Sequence, residues 1–177
     1  PEYGLLSLAN MLAIITGGID LSVVSVMSLS GVVSAQVLSR WESLPMPAGV
    51  VILLGILTAL AVSAVCGLLN GTLIAYVRVP AIIATLGTQG LFLGAAIIIT
   101  KGSGVGGFPE PFLFIGNGNL AGIPMQFLIY IAVAFLVGLL LTRTRQGFSM
   151  QMYGSSPLVS RFSGVNNEAV LVRTYLI

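Results

Sequence analysis

Histidine is absent from this chain, cysteine occurs once, and only 7% of the residues are charged. Each shortage removes a class of function. Without histidine, and with five acidic residues scattered singly, no Ser-His-Asp set, paired-carboxylate site or histidine metal centre can be assembled. A lone Cys66 allows neither a disulfide framework nor a CxxC pair, and its place in an apolar run reads as small-residue packing. Basic residues number seven against five acids, with no basic cluster interleaved with aromatics, so no nucleic-acid surface is expected. The glycine-rich "KGSGVGGF" has its lysine ahead of the glycines, the reverse of a P-loop.

What remains is overwhelmingly apolar: 56% of 177 residues, with a mean hydropathy of +1.07. A soluble domain needs about a quarter of its residues charged to cover its surface. The composition therefore selects an integral membrane protein, and the fold class it implies is an all-α, polytopic transmembrane helical bundle. No basic n-region precedes the first apolar run, and the sequence closes on the apolar "VRTYLI". The chain reads as a fragment, 1–177, of one transmembrane domain truncated at both ends.

Four apolar blocks stand out. Residues 48–77, 81–100 and 123–142 carry no charge, and crossing the hydrocarbon core takes about 20 helical residues. Each of the three is expected to cross once, the longest of them tilted. Residues 5–39 carry only Asp20. That block is too long for one crossing and slightly short for two. Gly17 and Gly18 near its middle predict a broken helix, as two crossings about a tight turn or as one bent, discontinuous helix. Asp20 or Ser22 would then cap the helix that follows. In the first arrangement Asp20 lies towards the cytoplasmic side, in the second near mid-depth. Such breaks at membrane depth either are buried in protein or line a wet path.

Asn70, Thr85, Thr88 and Gln89 add polar groups to otherwise apolar helices. The bland reading is interhelical hydrogen bonding. The functional one is that Asn70, Thr85 and Gln89, with the Gly17–Ser22 break, line a translocation path. The spacings Gly67/Gly71 and Gly90/Gly94 predict close helix–helix contact.

Between blocks the chemistry becomes polar. "SRWESLPMP" at 39–47 reads as an interfacial loop, and 101–122 as a Gly- and Pro-rich loop. Arg143, Arg145, Arg161 and Arg173 concentrate in 143–173, which the positive-inside rule makes cytoplasmic. Within it a glycine break is expected at Gly154. Ser155 or Ser156 then supplies an N-cap, Pro157 a first helical position, and Gly164 a stop. Leu158, Val159 and Phe162 share one face of this short helix, with Arg161 at its rim. It wants a protein partner or, failing that, the lipid surface.

"ITGGIDLSVVSVMSLSGVVSA", "GLLNGTLIAYVRVPAIIATLGTQGLFLG" and "GSSPLVSRFSG", in this order, resemble the membrane permease subunits of bacterial ABC importers for ribose and related sugars. The likeness covers nearly the whole chain. In the last motif Gly154, Pro157, Arg161, Ser163 and Gly164 match the family, while Ser156, Leu158, Val159 and Ser160 depart from it. The resemblance implies a multi-pass subunit of the bacterial inner membrane. It implies pairing with a second permease copy or paralogue, and solute received from an external binding protein. The cytoplasmic coupling helix (Gly154, Pro157, Arg161, Phe162, Ser163 and Gly164) would dock an ATP-binding cassette subunit. This chain would itself bind no cofactor, ATP being held and hydrolysed by the partner. A different class, an ion-coupled secondary transporter of a small polar solute, normally places ionisable groups inside several helices; here only Asp20 qualifies.

Overall fold

The computed structural model describes residues 1–41, 46–120 and 122–177. In chain order the elements are α1 (Glu2–Ile15), α2 (Val23–Leu38), α3 (Ala48–Ala75), α4 (Ala81–Thr100), α5 (Glu110–Asn117), β1 (Asn119–Leu120), β2 (Ile123–Pro124), α6 (Met125–Arg143), α7 (Arg145–Ser155), α8 (Pro157–Phe162) and α9 (Asn167–Leu176). The loop expected at 39–47 lies partly outside the described residues, at 42–45.

Among the described residues three helices, α3, α4 and α6, are long and apolar enough to cross a membrane. Prolines set where they begin: Pro47, Pro80 and Pro124 occupy the N-cap positions of the three. Their outward residues are apolar, with Leu60, Val65, Ile98 and Phe135 each more than 60% exposed. Lipid, not a soluble core, is the solvent that suits such a surface.

The 5–39 block resolves into two arms. Helix α1 ends in a Schellman stop, with Gly17 N–H on Ile14 O and Gly18 N–H on Ala13 O, both at 2.9 Å. Gly17 has a φ of 75°, which is why a glycine stands there. Gly18 is needed for space: a Cβ would lie 2.6 Å from the Tyr175 hydroxyl oxygen and 3.3 Å from Ala81 Cβ.

The arms run in opposite directions. Ser22 meets Asn70, and Leu38 packs at Gly55, so α2 descends along α3 antiparallel to it. Gly4 lies against Tyr130, and Leu12 clusters with Val137 and Leu140, so α1 runs in the same direction as α6. Two opposed arms joined by an elbow at 16–22 replace the alternative of a single bent helix. Because the elbow sits level with the end of α3 and the first turn of α4, Asp20 is at the end of the bundle where α7, α8 and α9 gather, not at mid-depth.

Other expectations are corrected. Gly154 is not a break; it is helical in α7, where its backbone approaches the Ile15 carbonyl so closely that no Cβ fits. The glycine pairs also part company. Gly67 and Gly71 let α9 lie directly on α3, whereas a Cβ at Gly90 or Gly94 would meet nothing within 4 Å. The loop at 101–122 holds α5, tied to α6 by Gln126 Nε2 donating to Gly116 O at 2.6 Å.

Candidate functional site

Two places gather the residues singled out in the sequence: the elbow and the α8 segment.

At the elbow, Asp20 Oδ1 accepts both the Ser22 N–H (2.8 Å) and the Ser22 hydroxyl (2.7 Å). Ser22 Oγ in turn accepts from Asn70 Nδ2 at 2.7 Å. Ser22 holds the N-cap position of α2, but its hydroxyl is committed to Asp20 and caps no amide. The expected cap is thus a clamp: the carboxylate fixes the cap residue, and Asn70 ties it to α3. Thr85 closes the other side. Its hydroxyl donates within α4 to Ala81 O (2.8 Å) and accepts from Leu21 N (3.2 Å). Ser22, Asn70 and Thr85 are all 1% exposed or less. Gln89 is half-buried one turn further along α4, and the elbow's hydrogen bonds do not reach it.

Beside the clamp is a cavity of about 140 Å³, lined among others by Asp20, Ser63, Gly67, Asn70 and Tyr175. Asn70 Oδ1 and the Tyr175 hydroxyl are buried there without a protein hydrogen-bond partner. A buried carbonyl oxygen and a buried phenol left unpaired each cost free energy. The cavity is lined mainly by apolar side chains, and its two unpaired polar atoms suit water or the hydroxyl of a small solute. Among the described residues no group of three or more His, Cys, Asp or Glu side chains could hold a metal ion.

The second place is built on α7–α9. Ser156 caps α8, its Oγ accepting from Val159 N at 3.3 Å, and Pro157 takes the first helical position. Gly164, with a φ of 80°, turns the chain out of the helix just after Ser163. A single turn and a half cannot hold itself together. Ser160 and Asn167 do that: Ser160 Oγ donates to Asn167 Oδ1 (2.8 Å), and Asn167 Nδ2 donates to Pro157 O (2.8 Å). The outer face is apolar and uncovered, with Leu158 65%, Val159 55% and Phe162 84% exposed. Arg161 and Arg78 line an adjoining cleft of about 330 Å³ that also includes Tyr153 and Glu168. Burial, and secondarily the negative charge of Glu168, push the Tyr153 phenol above its ordinary value.

Sequence reasoning missed Ser160, Asn167 and Tyr175. Asn166 offered a signal: it caps α9 by accepting from Ala169 N at 2.9 Å, and an acid, Glu168, follows in the first turn.

A family described as "Branched-chain amino acid transport system / permease component" matches residues 1–177. The fructose import permease protein FruF of Bifidobacterium longum (strain NCC 2705) is 35% identical over 181 residues, covering 99% of this chain and 48% of that protein. The autoinducer 2 import system permease protein LsrD of Escherichia coli (strain K12) is 32% identical over 178 residues, covering 97% of this chain and 52% of the relative. The chain thus spans about half the length of these relatives. No solved structure matches it.

Proposed function

The chain belongs to this family of transport-system permease components, and from that premise we propose that it is the membrane-spanning, non-catalytic part of an ATP-driven importer. Its place is the bacterial inner membrane, crossed several times. The resemblance of its motifs to sugar permeases, together with relatives that import fructose and autoinducer 2, supports a sugar or sugar-like solute. Ion coupling has less to support it: α2, α3, α4 and α6 contain no acidic residue, which leaves Asp20, among the described residues, as the carboxylate near the bundle interior.

The observation that carries the reading is α8. It is a pre-formed, clamped helix with an uncovered apolar face, placed outside the spans on the arginine-rich side. Helix-in-groove recognition uses such a face. We assign Phe162 as the anchor seated in an ATP-binding cassette subunit, with Arg161 beside it for a carboxylate at the rim. Gly154, Pro157, Ser163 and Gly164 set the helix's position and ends. ATP is held by that partner and not by this chain. A second permease copy or paralogue completes the membrane unit, and an external solute-binding protein delivers to the opposite side, where α5 lies. The cavity at Asp20 and Asn70 is the inward part of the path contributed by this chain.

The test uses the full-length protein with its ATPase. Phe162→Ala should release the ATPase or uncouple hydrolysis from solute delivery, while membrane insertion stays normal. Buried aromatic anchors often contribute ~2 kcal/mol or more, about a thirtyfold loss in affinity. A cysteine at Ser156 should crosslink to the ATPase. Normal coupling in Phe162→Ala, with no crosslink at any reagent length, would leave α8 a mere connector.

A further inference from the structure

A second cleft on the same side carries a different chemistry. It lies between α7 and α9, has a volume of about 570 Å³, and is lined by Arg145, Gln146, Ser149, Asn166 and Arg173 among others. No carboxylate lines it, in contrast to the cleft beside α8, where Glu168 accompanies the arginines. Among the described residues neither guanidinium has a hydrogen-bond or ion-pair partner. Two uncompensated arginines from different helices converge on one concavity.

Its depth is fixed by the chain. Helix α6, a membrane span, ends at Arg143, and Thr144 both closes it and caps α7, so Arg145 stands two residues from the end of the span. Arg173 precedes Tyr175, whose backbone rests on Gly67 inside the span α3. Both guanidinium groups therefore belong at the membrane surface. An apolar rim adjoins them on α7, where Phe148, one turn beyond Arg145, is 61% exposed; Leu176 and Ile177 instead line the cavity at Asp20 and Asn70. A soluble anion would use only the arginines. A phospholipid uses the arginines through its phosphate and the apolar rim through its acyl chains.

We propose that this α7–α9 cleft binds the phosphate headgroup of an anionic phospholipid in the inner leaflet. Guanidinium groups grip phosphate oxygens bidentately, and basic pockets on the cytoplasmic side of helical bundles are suited to such headgroups. The bound lipid would brace α7 against α9 and so fix the platform from which α8 projects.

The inference rests on the orientation used above, but its test does not pass through transport. Full-length permease in detergent is titrated with phosphatidylglycerol, phosphatidylcholine or inorganic phosphate, and retained lipid is read by native mass spectrometry. Phosphatidylglycerol should bind at least roughly tenfold more tightly than phosphatidylcholine, and Arg145→Gln or Arg173→Gln should each lower its affinity about tenfold. Arg173→Lys, which keeps the charge, should retain the preference, and Arg78→Gln, outside the cleft, should change nothing. Equal binding of the two lipids, or loss of the preference in Arg173→Lys, overturns the proposal. So does phosphate alone binding as tightly as phosphatidylglycerol, or displacement of the lipid when the ATPase assembles, since the cleft would then serve a free anion or a protein. Failure of ATPase docking at Phe162 leaves these readings untouched.

Discussion

Replacing Gly71 by alanine sets two effects of opposite sign against each other. Alanine is favoured over glycine in a helix interior by up to ~1 kcal/mol. Against this, a Cβ at Gly71 would stand 2.8 Å from Val172 Cα and 3.2 Å from Val172 O. Those are backbone atoms of α9 and cannot rotate away, so the whole helix must shift by several tenths of an ångström. Overpacking of this kind costs ~1–3 kcal/mol. Because the obstacle is backbone, the upper part of that range applies, ~2–3 kcal/mol. The net expectation is a loss of about 1–2 kcal/mol, larger for Gly67→Ala combined with it, because Gly67 faces the Tyr175 carbonyl. At Gly94 the same substitution meets nothing within 4 Å, so only propensity remains and the variant should be as stable as the parent or up to ~1 kcal/mol better. The measurement is thermal stability of the full-length protein in detergent, followed by monodispersity, with maleimide labelling of Cys66 as a second reading. Cys66 is 3% exposed and packs with Leu29 and Phe92 on the α2–α4 side of α3. Loosening α9 alone should therefore lower stability while Cys66 stays unreactive below the melting transition. A Gly71→Ala protein as stable as the parent, or a Gly94→Ala protein as damaged as Gly71→Ala, refutes the assignment of α9 as the helix that needs the glycines.

Asp20→Asn keeps an oxygen acceptor for the two Ser22 donors and should accumulate like the parent, whereas Asp20→Leu strands the buried Ser22 hydroxyl and amide and should lose ~1 kcal/mol or more, seen as reduced membrane accumulation and a lower melting temperature. A leucine variant that accumulates and melts like the parent would dismiss the clamp. For orientation, a cysteine at Ser103 should react with an impermeant thiol reagent in intact spheroplasts, and one at Ser155 only after lysis; the opposite pattern overturns the arrangement drawn from the arginines.

The spans were legible because a membrane core demands long uncharged runs and prolines mark their starts. Helix α4 occupies 81–100 as read, and α3 stops at Ala75, two residues inside the run, where the chain turns through Arg78 at a φ of 61°. Helix α6 begins at Met125 and not at 123, since Ile123 and Pro124 pair with Leu120 and Asn119 in a short ladder. Helix α8 was readable from Ser156, Pro157 and Gly164, each of which acts locally. Helix α7 was not. Gly154 reads as a break, yet both it and Gly147 are helical and mark close approaches: Gly147 to the Leu140 carbonyl and Leu141, Gly154 to the Ile15 carbonyl. Those contacts join residues far apart or folded back on themselves, and no local rule contains them. The clamp was half legible. Asp20 and Ser22 adjoin in sequence, but Asn70 and Thr85 reach them only after α3 and α4 have packed.

The direction of the two arms at the elbow bears on what Asp20 is for. A carboxylate at the bilayer centre costs at least ~2.5 kcal/mol. At the end of the bundle where α7, α8 and α9 gather, with two donors from Ser22 on one oxygen, that cost shrinks and a structural role suffices to keep it there. The position also joins the two sites mechanically. Asn167, the first residue of α9, holds α8 through Ser160 and Pro157, and Tyr175, near the other end of α9, lies against Gly18 in the elbow. A displacement of α8 thus reaches the elbow through one helix, without crossing a flexible loop. The elbow in turn holds the starts of α2 and α4 and the last turns of α3 through Ser22, Thr85 and Asn70. A bent helix with Asp20 at mid-depth would have placed the carboxylate some turns away from α9 and broken that connection. The opposed arms are what bring α8 and the interior hydrogen bonds within a single helix length of each other.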